Sequence, residues 1–116
     1  MMSSSKQARA SETTVAQMQR WVDRFADERQ WERFHTPKNL AMSIAIEAAE
    51  IMELYQWSES QPADGALAND SPLAEELADV LSYVLRLASV TGIDLAAALA
   101  AKMEKNAIKY PPPSAS

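Results

Sequence analysis

Apolar residues recur along this chain at helical spacing, and the pattern is interrupted at a few well-marked places. Val15, Met18, Val22 and Phe25 repeat every three or four positions, with Arg, Asp and Glu between them. They predict a first helix from about Thr14 to Trp31. Glu32–Lys38 reads as a connection, because proline has no amide hydrogen and Pro37 cannot sit deep inside a helix. A second helix is expected from about Asn39 to Ser58. Residues 60–71, SQPADGALANDS, are rich in turn formers and read as a loop. Ser71-Pro72 then has the signature of a helix start, with Ser as N-cap and Pro at the first helical position. Gly92 supplies a left-handed stop. A fourth helix follows Asp94 as N-cap, runs to about Lys109 and ends before Pro111–Pro113. No internal repeat and no strand-like alternation interrupts this series.

The expected fold is therefore all-α, a four-helix bundle with short connections. The expected domain spans residues 14–110, with disordered tails at 1–13 and 111–116. A chain of 116 residues suits one domain. Its core is modest at that size, and assembly with further copies would enlarge it.

Composition supports the helical reading and narrows the partners. The chain has only two glycines, and three of its six prolines lie together at 111–113. Its net charge of −5 argues against a nucleic-acid backbone or an anionic membrane as partner. A nucleotide is not excluded, since a bound cation reverses the local sign. There is no cysteine, hence no disulfide and no thiolate chemistry. The N-terminal MMSSSKQARASE lacks the apolar stretch of a secretory signal, and no apolar run is long enough for a membrane span. A cytoplasmic location is the default expectation.

The second helix carries acids where acids should be costly. On a wheel of ~100° per residue, Leu40, Ile44, Ile51 and Leu54 lie close to Glu47. Glu50 falls to the other side, between Ile46, Trp57 and Leu54. Ala and Met fill the remaining faces. A helix apolar nearly all round is expected to be central and buried. A buried carboxylate without a partner tends to pick up a proton, and two acids one turn apart repel.

The third helix repeats the arrangement. Leu73, Leu77, Val80, Leu81, Val84 and Leu87 form its apolar arc. Glu76 lies at the edge of that arc, with Tyr83 beside it and Asp79 further out. Glu75 falls further still, on the expected solvent side. Two facing helices, each offering E-x-x-[E/D], can bring Glu47, Glu50, Glu76 and Asp79 to one point. All-oxygen ligation of this kind suits Mg²⁺, or Mn²⁺. Magnesium completes its shell with water and phosphate, which points to phosphate-bearing substrates. Glu53 extends the acid series without a clear role.

Two other readings fit parts of the pattern. A di-iron bundle also uses carboxylates from several helices, but it wants Glu-x-x-His, and the single histidine, His35, lies in a connection. A non-catalytic assembly module would use the acids as an interface or for solubility.

The runs FHTPKNLAMSIAIEAAEIMELYQW, LAEELADVLSYVLRLA and KMEKNAIKYP resemble the MazG-like all-α nucleoside triphosphate pyrophosphatases, and among these the dCTP pyrophosphatase branch. The resemblance covers roughly residues 20–111. It implies that Glu47, Glu50, Glu76 and Asp79 are the Mg²⁺ ligands and form the catalytic centre. It implies hydrolysis between the α- and β-phosphates of a (d)NTP, such as dCTP or a modified dCTP, to the monophosphate and pyrophosphate. Such an activity serves nucleotide-pool sanitation. By the same resemblance Trp31, His35, Trp57 and Tyr83 line a nucleoside pocket, and Lys102, Asn106, Lys109 and Tyr110 lie near the phosphates or the base. It further implies a homo-oligomer, a dimer or a dimer of dimers, with sites shared between chains.

The residues themselves leave some of these roles open. Lys102, Asn106 and Lys109 share a stripe with Leu95 and Leu99 that is expected to face the bundle. The lysines equally suit the dipole at a helix C-terminus. Trp31, Trp57 and Tyr83 offer faces for base stacking or simply core area. Trp21 is assigned to core or interface. His35 can meet a base or sugar, or cap a turn.

Overall fold

The computed structural model describes residues 12–57 and 71–114. Four α-helices and one short 3₁₀ turn make up the fold, with no strand among the described residues. Helix α1 is Val15–Glu28, α2 Pro37–Tyr55, α3 Pro72–Thr91 and α4 Leu95–Lys109, with the 3₁₀ turn at Glu32–Phe34 between α1 and α2. Most of the expected N-terminal tail, the expected loop up to Asp70 and the last two residues lie outside the described residues.

Local chemistry explains each start. Thr14 and Gln17 form a reciprocal capping box on α1: the Gln17 amide donates to Thr14 Oγ1 at 3.1 Å, and the Thr14 amide donates to Gln17 Oε1 at 2.7 Å. Ser71 caps α3 by accepting from the Ala74 amide, and Asp94 caps α4 by accepting from the Ala97 amide.

Three boundaries differ from expectation, one of them the end of α2, which stops at Tyr55 short of Ser58 because Gln56 takes an extended backbone. Helix α2 begins at Pro37, not Asn39, because Thr36 is an N-cap whose hydroxyl accepts the Asn39 amide at 3.2 Å. Proline is well placed at that first position, where its missing amide hydrogen has no helical partner anyway. Helix α1 ends at Glu28, three residues before Trp31. There Gln30 takes a left-handed backbone, φ 56°, while the Trp31 amide donates to Ala26 O and the Gln30 amide to Asp27 O. This pair of bonds is a Schellman stop built without glycine. Gly92, φ 73°, closes α3 with the same two bonds, from Ile93 to Ala88 and from Gly92 to Ser89.

Helix α3 is the centre of the packing. Both α2 and α1 lie against it. Gln19 of α1 reaches across to α3, donating to Ser89 Oγ at 3.2 Å. The core is thin: among the described residues Ala26, Leu40, Leu85 and Ala88 are the buried apolar ones.

The bundle expected from four helices is incomplete within one chain. Helix α4 turns away from α3 by 105°. Among the described residues it forms no interface comparable with those of α1 and α2. Its Leu99 and Ile108 are 60% and 83% exposed. The stripe of Leu95, Leu99, Lys102, Asn106 and Lys109 therefore does not face this chain's own bundle; only Leu95 and Asn106 are half-covered. Helix α2 is likewise not buried all round. Leu40 is its one buried residue, and Met42, Ile46 and Met52 are exposed. A single neighbour, α3, covers only one face of a helix that is apolar on several.

Candidate metal centre and aromatic cleft

The seam between α2 and α3 brings three of the four expected acids together. Glu47, Glu50 and Glu76 each offer an oxygen within 4.8 Å of the others. Helical spacing puts Glu47 and Glu50 on one face of α2, and the packing of α3 sets Glu76 against them. All three are half-buried. Glu75, one residue earlier, is exposed and outside the group. Glu53 is also exposed and outside it.

The electrostatics of this seam are unfavourable without a counter-charge. Glu47 Oε2 and Glu76 Oε2 are buried with no hydrogen-bond partner. Leaving such an atom unpaired is unfavourable, and more so if it is charged. Burial, and then the charges of Glu50 and Asp79, push Glu47 above the ordinary carboxylate range. A hydrogen bond with Glu50, then burial and the surrounding acids, push Glu76 up to about 7. Two carboxylates within hydrogen-bond reach of each other must share a proton or a cation. An all-oxygen set with two unpartnered atoms fits a divalent hard cation.

Asp79 stands apart from the three. It is exposed, one turn along α3 from Glu76, and its charge acts on both Glu47 and Glu76. It also lines a neighbouring cleft of about 440 Å³. Asp79 thus sits where the acid seam meets the cleft.

The cleft lies between α1, α3 and the turn that joins α1 to α2. Trp31, His35 and Tyr83, three of the expected nucleoside-binding residues, line it. The early stop of α1 puts Trp31 there, edge-on to Phe25 with ring centroids 5.6 Å apart. His35 follows at 5.8 Å from the Trp31 ring. The turn carrying His35 is pinned twice: its amide donates to Trp31 O and Glu32 O, and the Asn39 side chain donates to Phe34 O at 2.9 Å. A mainly apolar pocket of this size with a few polar groups is the usual form of a small-molecule site.

The remaining expected residues are not brought to this cleft. Trp57 is 94% exposed just past α2, with a left-handed φ of 70°. Lys102, Asn106 and Lys109 lie on α4, and Tyr110 at its end is 67% exposed, with the Lys109 ammonium 5.3 Å from its ring centroid.

The sequence alone assigns no role to two cleft residues, Arg86 and Ser82, or to Asp23, which lies behind the cleft as a partner of Arg86. Arg86 is buried, Asp23 accepts from it at 2.8 Å, and Ser82 lines the wall. Arg86 does carry a signal: it is a lone cation inside the apolar run LSYVLRLA. Its partners could not be found that way, since Asp23 lies 63 positions earlier. Trp21, expected in core or interface, is 60% exposed at the cleft mouth.

The chain is similar to known proteins over most of its length. Residues 42–116 match the model of the MazG-like family. The chain is 38% identical over 105 residues to dCTP pyrophosphatase 1 of Bos taurus, covering 88% of this chain and 62% of that protein. It is 39% identical over 103 residues to dCTP pyrophosphatase 1 of Homo sapiens, covering 86% of this chain and 61% of that protein. The chain thus spans about three fifths of the length of these curated relatives. Among solved structures, a pyrophosphatase from Archaeoglobus fulgidus superposes with a TM-score of 0.68 at 43% identity, covering 78% of this chain and 86% of that one.

Proposed function

The chain belongs to the MazG-like family, and we propose that it is a Mg²⁺-dependent nucleoside triphosphate pyrophosphohydrolase acting on dCTP or a modified dCTP. The observation that carries this reading is the α2–α3 seam. It holds three carboxylates within 4.8 Å of one another, two of them with unpartnered buried oxygens. An aromatic cleft of nucleoside size adjoins it through Asp79. The names of the relatives supply the substrate class and the reaction.

Glu47, Glu50 and Glu76 would hold the metal, with Asp79 joining on the cleft side. Mn²⁺ would serve the same oxygen set. When bound, the ion supplies charge neutralisation for the triphosphate and for the charge that develops at phosphorus. The protein's own groups do the rest. The base enters between Trp31 and Tyr83, where stacking contributes ~1–3 kcal/mol. His35 meets its polar edge. That placement lays the phosphates toward Asp79 and the acid seam. A carboxylate of the seam accepts the proton of the attacking water. The products are the nucleoside monophosphate and pyrophosphate.

The same reading includes a homodimer, or a dimer of dimers. Exposed Leu99, Met103 and Ile108 on α4, with Met42, Ile46 and Met52 on α2, support it. In such an assembly Lys102, Asn106 and Lys109 of α4, Tyr110 at its end, and Trp57 just past the end of α2 would reach the site of a second copy, where the lysines meet the phosphates as point charges.

A panel of dNTPs and NTPs, modified cytosines included, tests the proposal. The expected product is pyrophosphate, released with Mg²⁺ and abolished by EDTA. Release of orthophosphate alone, or turnover that survives EDTA, would overturn it.

A further inference from the structure

The Arg86 side chain is 9% exposed, and a guanidinium is almost never buried without partners. It has two. Asp23 Oδ1 accepts from Nη1 at 2.8 Å, and His35 Nδ1 accepts from Nε at 3.0 Å. Arginine has donors only. Nδ1 of His35 must therefore present its lone pair, so the ring is neutral and carries its proton on Nε2. Burial, and then the Arg86 charge, lower the His35 pKa in the same sense.

We propose that Arg86, aligned by Asp23, is a positioning residue that fixes His35 as an Nε2–H donor inside the aromatic cleft. With Nδ1 occupied, the imidazole has one polar contact left to offer, and that contact donates. The cleft then favours a ligand that turns a carbonyl oxygen or an unprotonated ring nitrogen toward His35, and disfavours one that turns an amino group there. A free imidazole can swap its tautomer to suit either edge; this one cannot without losing the Arg86 hydrogen bond. The consequence for substrate choice rests on the pyrophosphohydrolase reading, whereas the tautomer does not.

The competing explanation is that Arg86 and Asp23 merely staple α3 to α1. Because His35 is the only histidine, its ring nitrogens can be read singly in a long-range ¹H–¹⁵N spectrum of the whole protein. The ligand-free wild type is expected to show one tautomer, Nε2–H. Arg86→Met is expected to give mixed tautomers with unchanged helix content, and to raise KM for dCTP about tenfold with kcat within about twofold. Asp23→Asn keeps an acceptor for Nη1. It is expected to lower the melting temperature while leaving the tautomer and KM near wild type. An Nδ1–H tautomer in the wild type, or an Arg86→Met protein with wild-type tautomer and KM, would overturn the proposal. So would an Asp23→Asn protein that loses KM as fully as Arg86→Met, which is the signature of a staple. If Arg86→Met fails to fold, the wild-type and Asp23→Asn spectra decide. A protein that hydrolyses no nucleotide yet holds the Nε2–H tautomer refutes the proposed activity and leaves the Arg86 assignment standing.

Discussion

Between α2 and α3, carboxylates sit half-buried in the most extensive helix contact among the described residues; on α4, a leucine, a methionine and an isoleucine lie in the open. Each arrangement inverts the usual partition of polar and apolar groups, and under the proposed function each is completed by something outside the single chain. In the seam the missing part is charge, which the proposed divalent cation would supply. On α4 the missing part is apolar contact, which the proposed second copy would supply. The two cases respond differently to experiment, because a cation binds at a point and a helix docks over an area.

Substituting Glu47 should give the largest effect. Glu47→Gln is expected to reduce Mg²⁺-dependent pyrophosphate release at least about 100-fold. In metal-free protein the same change should raise the melting temperature, since it removes a buried like charge. A variant that keeps its activity would show that the seam is not the reaction centre. Next in size is metal itself. At a Mg²⁺ concentration ~100 times its Kd, stabilisation is about 2.7 kcal/mol, a rise on the order of 10 °C for a domain of this size. A scanning-fluorimetry titration showing no rise would leave the acids without their counter-charge.

The α4 face yields a smaller, concentration-dependent effect. Leu99→Gln should weaken self-association about tenfold or more in analytical ultracentrifugation, as expected for burying one leucine in an interface. If α4 stays in water at all concentrations, the change is neutral within ~0.5 kcal/mol.

Protonation should act on the seam and not on α4. The fold raises Glu76 from near 4.5 to about 7. Its stabilising contribution in metal-free protein is therefore complete below about 4.5 and is lost as pH rises through about 7. Metal-free protein should melt higher at pH 5 than at pH 8, while the Mg²⁺-induced rise grows over the same interval because metal and proton compete. A pH-independent melting temperature would contradict the burial of this acid. The smallest effect belongs to Glu75→Gln, expected to keep kcat/KM within about twofold, since Glu75 is exposed and outside the group.

How far the sequence can be read is clearest where one device appears twice. Gly92 and Gln30 occupy the same left-handed position of the same stop motif. Glycine announces the first; nothing announces the second, because a glutamine pays the left-handed strain for reasons that lie in the packing around Ala26 and Trp31. The Thr36-Pro37 start, by contrast, was legible by the rule that located Ser71-Pro72. The wheel separated Glu76 from Glu75 correctly because helical phase is a local property. It could not place Asp23 and His35 on Arg86, which join positions 63 and 51 residues apart.

The sequence by itself determined the helices, three of their four starts, and the one-turn spacing of the acids. These follow from backbone capping and from the 3.6-residue period, which act over a few residues. Tertiary structure decided which three acids meet within 4.8 Å, that Asp79 lies between seam and cleft, that Arg86 fixes His35, and that α4 leaves its own bundle. Those outcomes depend on how whole helices cross, and crossing is set by the sum of many weak side-chain contacts between segments distant in the chain.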